Sequence, residues 1–161
     1  YILVDLPGTY SLMAHSAEEE VARDFLCFGG ADGAVVVCDA TCLERNLNLV
    51  LQTLEITPRT VVCVNLMDEA RSKGIEVDTA ELSRLLGVPV VAAAAGRNEG
   101  LEQLMEAVAD MAAEEEAPHT FRPGYPSAVE RALARLEPVL ARRLEGRTRR
   151  CASPCWKRRR G

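Results

Sequence analysis

The sequence predicts an α/β domain built on a doubly wound, mostly parallel β-sheet. Three observations carry that expectation. Four short apolar runs, Tyr1–Val4, Ala34–Cys38, Thr60–Val64 and Val88–Val91, show no polar alternation, the pattern of strands covered on both faces. Stretches of helical periodicity lie between them, which makes β–α–β units with right-handed crossovers the natural arrangement. Aromatic residues make up 4% of the chain and apolar residues 48%, so small aliphatics must fill the core. The 161 residues suit one domain, or one domain and an appendage. No apolar stretch approaches the ~18 residues that cross a bilayer.

The first run passes directly into Asp5, and Pro7-Gly8 turns the chain. A strand ending at Asp5 places a carboxylate at the sheet edge where ligands bind in open α/β folds. Gly8 offers a backbone N–H with no side chain to block close approach. An acid before a turn is also a common structural ending, and the motif alone leaves both readings open. The chain opens inside this run with neither Met nor a basic leader, so a fragment lacking its beginning is expected.

Ser16-Ala17-Glu18-Glu19 is a capping box that starts a helix running to about Leu26. Val21, Ala22, Phe25 and Leu26 form its buried side, and Gly29–Gly33 breaks it. The second strand, Ala34–Cys38, ends at Asp39, and Thr41-Cys42-Leu43-Glu44 reads as a second capping box. Leu43, Leu47, Val50, Leu51 and Leu54 then share one helix face. Thr57-Pro58 ends that helix, because the residue before proline is pushed out of the α region.

The third strand, Thr60–Val64, leads into Asn65-Leu66-Met67-Asp68 and a polar loop. Asp78–Glu81 opens a helix bearing Leu82, Leu85 and Leu86, with Gly87 at its C′ position. Val88–Val91 is the fourth strand, followed by the small-residue loop 92–100 and a helix marked by Leu101, Leu104, Met105, Val108 and Met111. Residues 1–117 thus form the α/β unit and 118–126 a linker. Residues 127–145 begin a second, helical unit on Val129, Leu133, Leu136, Val139 and Leu140. Residues 146–161 are expected to be a disordered or out-of-frame basic tail.

Charge is split along the chain. Residues 1–141 carry 10 Lys/Arg against 23 Asp/Glu, and residues 142–161 carry 9 against 1. The acidic body argues against a nucleic-acid partner, since phosphate contacts need clustered basic residues. The six cysteines (27, 38, 42, 63, 151, 155) form no C-x-x-C pair. Their spacings lack the neighbouring histidines of a zinc site. Cys38 and Cys63 read as core residues. His15 and His119 are isolated, and neither is assigned a role.

The chemistry lies in the order of the strand ends: Asp5-x-x-Gly8, Asp39-x-Thr41, Asn65-x-x-Asp68, then Ala93–Gly96. Asn65-x-x-Asp68 suits guanine, whose N1–H and 2-amino group present two donors to one carboxylate. Adenine lacks that pattern, and a site left with unpaired polar groups discriminates strongly. Asn65 would brace the loop, and Ala94, Ala95 and Gly96 would turn backbone N–H groups toward the guanine carbonyl. An Asn-x-x-Asp turn that merely closes a strand, and a plain small-residue loop, fit the same residues.

With Asp5–Gly8, Asn65–Asp68 and Ala93–Gly96 as its third, fourth and fifth nucleotide-binding motifs, the chain resembles a P-loop GTPase domain of the translation-factor-related (TrmE-Era) class. More narrowly, Asp5–Leu12, Glu18–Asp24, Asp39–Leu47 and Asn65–Ala70 resemble the cytosolic G domain of the ferrous iron transport protein B family. That resemblance spans about residues 1–140. It implies binding of GTP and GDP with Mg2+, and slow GTP hydrolysis coupled to ferrous iron uptake at the cytoplasmic face of a bacterial membrane. Carried onto this chain, it implies Asp5 holding Mg2+ through water and Gly8 donating to the γ-phosphate. Thr9, Tyr10, Ser11, Leu12 and Met13 belong to the mobile second switch, and Asn65 and Asp68 read guanine. It implies a membrane permease domain in the same polypeptide and says nothing of oligomeric state.

The chain departs from the pattern in several places. No G-x4-G-K-[ST] occurs, so the phosphate cradle and first switch are absent. The chain alone is therefore expected to be inactive, and no catalytic residue is assigned. Thr9 stands where many GTPases carry a water-positioning Gln, and Leu66 where many carry Lys. Two other functions compete: a GTPase of ribosome or tRNA processing using the basic tail, and a non-enzymatic phospho-receiver using Asp5 and Asp39. The acidic body opposes the first. The second needs a Lys at a neighbouring strand end, and only the loop residue Lys73 is at hand.

Overall fold

The structure is a computed structural model that describes residues 2–13, 16–113 and 124–144. Three parallel strands form one sheet in the order β1 (Ala34–Asp39), β2 (Thr60–Asn65) and β3 (Val90–Ala92). β1 and β2 pair in register from Ala34 with Thr60 to Asp39 with Asn65, which brings those last two residues level at the carboxyl edge. β3 pairs with β2 from Val62–Val90 to Val64–Ala92. The helices are α1 (Ala17–Phe28), α2 (Leu43–Ile56), α3 (Met67–Ser72), α4 (Thr79–Leu86), α5 (Leu101–Ala113) and α6 (Ser127–Leu144).

The central strand, β2, is covered on both faces. Val36, Cys38, Val62 and Val64 point to one side and pack with Val50 and Leu54 of α2, Met67 and Ala70 of α3, and Leu86 of α4. Val61 and Cys63, on the opposite face of β2, are also buried, and α5 lies against β2 and β3. A strand buried on both faces must be apolar nearly throughout, and among the described residues β2 is the strand that meets the condition over nearly its whole length. Burial also pushes the Cys38 thiol up to about 12 and raises that of Cys63, which fits both as inert core residues.

The helix starts follow local chemistry. Ser16 Oγ accepts from the Glu19 N–H at 3.2 Å, and Asp78 Oδ1 accepts from the Glu81 N–H at 2.8 Å. Gly87 closes α4 in the left-handed region. The residue expected to cap α2 does not do so. Thr41 lies in a short 3-10 turn, Ala40–Cys42, and it is Asp39 Oδ1 that accepts from the Thr41 N–H at 2.7 Å. That backbone hydrogen bond holds the Asp39 carboxyl below the usual carboxylate range, because it favours the charged form.

The largest correction concerns Tyr1–Val4. Residues 2–9 belong to no strand, and Ile2 and Leu3 are 93% and 89% exposed. An apolar run becomes a strand only where a neighbour's N–H and C=O groups meet it. β1 is paired on one edge alone, with β2, and the segment does not join the other edge. Among the described residues, three strands therefore stand where four were expected. Val37 of β1 is 58% exposed, and Val21, Leu85 and Met105, expected in the core, face solvent. The loop expected after Asp68 is helical from Met67 because Met67 and Ala70 are drawn into the core. α6 runs over Ser127–Leu144 with Pro138 inside it, and Val129, Leu136 and Val139 are exposed. Residues 1, 114–123 and 145–161, and with them most of the expected linker and the whole basic tail, lie outside the described residues.

Leu54→Ala, at a site 2% exposed, is expected to cost about 2–5 kcal/mol. Val37→Thr is expected to change stability by no more than about 0.5 kcal/mol. Urea unfolding of the two variants checks both values.

Candidate functional site

Two loops meet at the carboxyl edge of β2 and β3. β2 ends at Asn65, and Leu66 turns the chain in the left-handed region at φ 61°. α3 begins at once, so Asp68 falls in its first turn. After β3, Ala93 donates its N–H to Val64 O at 2.8 Å and accepts from the Met67 N–H at 3.1 Å. The loop then closes on itself. Ala94 and Glu99 exchange two backbone hydrogen bonds of 3.1 and 3.2 Å around a 3-10 turn, Ala95–Arg97. Gly100 allows that closure: with φ at +78°, a Cβ there would stand 2.1 Å from Ala92 O.

Two side-chain contacts join the loops. The Asn65 Oδ1 accepts from the Ala95 N–H at 3.0 Å. The Ala94 N–H is committed to Glu99. Of the three amides expected to face a guanine carbonyl, two thus already have protein acceptors. Gly96 is open, with nothing within 4 Å of a Cβ built on it. Asp68 is partly buried, and its Oδ2 pairs with Arg97 Nε at 2.9 Å.

The other predicted residues stand apart. Asp5 and Gly8 are exposed on an irregular segment and not at a strand end. No hydrogen bond or ion pair joins either of them to the 65–68 or 93–97 loops among the described residues. Asp5 supplies one exposed carboxylate. No group of three or more His, Cys, Asp or Glu side chains converges among the described residues. A lone hard oxygen donor fits Mg2+ held through water beside phosphates, and does not make a cation cage.

The 9–13 segment is anchored, and the sequence did not show how. Gln52 of α2 accepts at Oε1 from the Leu12 N–H at 2.6 Å and from Ser11 Oγ at 3.2 Å. Thr9 Oγ1 donates to Ser11 O at 2.6 Å, Leu12 is buried, and Arg45 lies over the Tyr10 ring at 4.2 Å. Arg45 and Gln52 lie seven residues apart, two helical turns, so both project from one face of α2. That spacing was the available signal, and the apolar pattern on the same helix masked it.

Comparison with known proteins gives a consistent result. The family model described as ferrous iron transport protein B matches residues 1–108. The Fe(2+) transporter FeoB of Campylobacter jejuni is 42% identical over 106 residues, which cover 66% of this chain and 17% of that protein. The Escherichia coli K12 transporter of the same name is 41% identical over 110 residues, covering 66% and 14%. The chain therefore spans about one sixth of the length of such relatives. Among solved structures, the cytosolic domain of the T. maritima FeoB iron transporter in a GDP form superposes with TM-score 0.79 at 37% identity, covering 84% of this chain and 54% of that one. The FeoB G domain of Methanococcus jannaschii gives 0.67 at 43% identity, covering 69% and 71%.

Removing the Gln52 anchor leaves the Leu12 amide without its acceptor beside a buried side chain. Gln52→Ala is expected to speed amide exchange at Leu12 by about tenfold, the cost of one such bond, while β2 amides stay unchanged. Hydrogen exchange followed by NMR checks this.

Proposed function

The chain belongs to the ferrous iron transport protein B family, and on that premise we propose that residues 2–113 are the guanine-reading part of a ferrous iron transporter's GTPase domain. The observation that carries the proposal is the Asn65–Ala95 hydrogen bond. It locks the Asn-x-x-Asp loop to the small-residue loop, so that an acid and a set of backbone amides share one edge of the sheet. Such an edge suits a flat base presenting paired donors and a carbonyl. The GDP and GMPPNP forms named for the T. maritima relative support guanine nucleotide as the ligand class.

In this reading Asp68 accepts from guanine N1–H and the 2-amino group. Asn65 holds the loop through the Ala95 N–H, which leaves the open Gly96 to present its N–H to the carbonyl. Asp5 and Gly8 serve the phosphate side, Asp5 toward water-bound Mg2+ and Gly8 toward the γ-phosphate. Mg2+ supplies charge neutralisation at the phosphates when bound. The 9–13 segment changes order with the γ-phosphate, the usual device of such switches. Residues 118–126 link to a helical unit begun by 127–145, which leads toward a permease in the same polypeptide. Among the described residues no helix is long and apolar enough to cross a membrane. The site of action is the cytoplasmic face of a bacterial membrane, with ferrous iron as the cargo.

In the full-length polypeptide, Asp68→Asn is expected to weaken GTP binding about 10- to 100-fold, as leaving a buried donor unpaired does, and to shift preference toward xanthine nucleotides. Unchanged GTP affinity in a titration would sink the assignment. The 161-residue chain, which has no G-x4-G-K-[ST], is expected to release no phosphate from GTP above a buffer blank. Measurable turnover would refute that.

A further inference from the structure

The acid proposed to read guanine already has a partner. Arg97 Nε stands 2.9 Å from Asp68 Oδ2, with the Arg97 side chain 66% exposed and that of Asp68 24% exposed. Arg97 is presented from a loop whose backbone is fixed without it, by the Ala94–Glu99 pair and by the Asn65–Ala95 bond. Its guanidinium is therefore the exposed end of a side chain set on a braced frame, with Nε against Asp68 Oδ2. A guanidinium and the guanine edge make the same demand, since each offers paired N–H donors to one carboxylate. Arg97 Nε stands against Oδ2, one of the two oxygens the guanine edge would use, so the two compete for that oxygen.

We propose that Arg97 is a specificity-determining residue that occupies the Asp68 carboxylate when no base is present and is displaced when guanine enters. The proposal rests on Asp68 as the guanine reader. Arg97 then keeps the carboxylate paired between ligands and lowers the net gain of base binding, so the site releases guanine more readily than a bare carboxylate would. A base without paired donors cannot replace the guanidinium, which adds to discrimination against adenine. The effect is modest, because an exposed ion pair shifts an equilibrium by about two- to fivefold.

The test titrates the 15N-labelled chain with guanosine, a neutral probe that removes any attraction of Arg97 for phosphate. Adenosine serves as the control. Arg97→Ala is expected to bind guanosine about two- to fivefold tighter than the unaltered chain, with Arg97→Lys between the two. On an Asp68→Asn background the gain should vanish, and in the unaltered chain guanosine should shift the Arg97 Nε–H resonance. Equal or weaker binding by Arg97→Ala, or the same gain on the Asp68→Asn background, overturns the proposal while leaving the guanine reading in place. If no variant binds guanosine, or if Asp68→Asn binds it as well as the unaltered chain, the guanine reading falls and takes this proposal with it.

Discussion

The pairing of β2 with a parallel neighbour on each edge is the constraint on which the rest of the structure depends. In-register pairing with β1 brings Asp39 level with Asn65. Pairing with β3 continues past the last strand residue, where the Ala93 N–H meets Val64 O and Ala93 O meets the Met67 N–H. Hydrogen bonds of the ladder thus set the distance between the two loops before any functional side chain takes part. The burial of Val61, Val62 and Val64, none of them measurably exposed, makes a slip in register costly. A shift by one residue would exchange the side chains of the two buried faces and undo the packing of each.

The turn after β2 converts that register into a site. Leu66 takes a left-handed conformation that costs an L-residue about 1–2 kcal/mol, and it does so where Met67 and Ala70 enter the core. Burial of those two side chains offsets the strain, since fully burying a Met-sized side chain contributes about 1.5–3 kcal/mol. The outcome is a reversal within one residue. Asn65 stays on the strand, and Asp68 comes round on the first turn of α3. Both polar groups then face the loop that follows β3 instead of running on into solvent.

Most of this was legible in the sequence, for identifiable reasons. β1, β2, α2, α4 and α5 announce themselves through unbroken apolar runs, helical spacing, Asp78 and Gly87, all local signals. Asn65-x-x-Asp68 and 93–96 stand out because chemistry is bunched at strand ends. What stayed hidden depends on partners far along the chain. Whether Ile2–Val4 is a strand depends on who supplies its hydrogen bonds, and periodicity carries no such information. The short helix α3 is imposed by tertiary burial of Met67 and Ala70 and has no capping signature. Asp39 capping Thr41, Gln52 holding Leu12 and Arg97 meeting Asp68 are each one polar residue choosing among several acceptors. Only the folded backbone makes that choice.

The two halves of the site differ in what holds them. The proposed base side is built from backbone ladders and the Asn65–Ala95 and Asp68–Arg97 contacts, so its geometry exists without a ligand. The proposed phosphate side is a segment whose attachments to α2, Gln52 to Leu12 and Ser11, begin beyond Gly8 and leave Asp5 and Gly8 exposed. A sensor of phosphate has to be free enough to respond to it, and a reader of bases has to be rigid enough to discriminate. Gln52 sits at the boundary between these demands. It fixes the end of the segment nearest α2 and leaves the end nearest Asp5 without such a tie, so in the proposed reading the helix that packs the core also limits how far the segment can move.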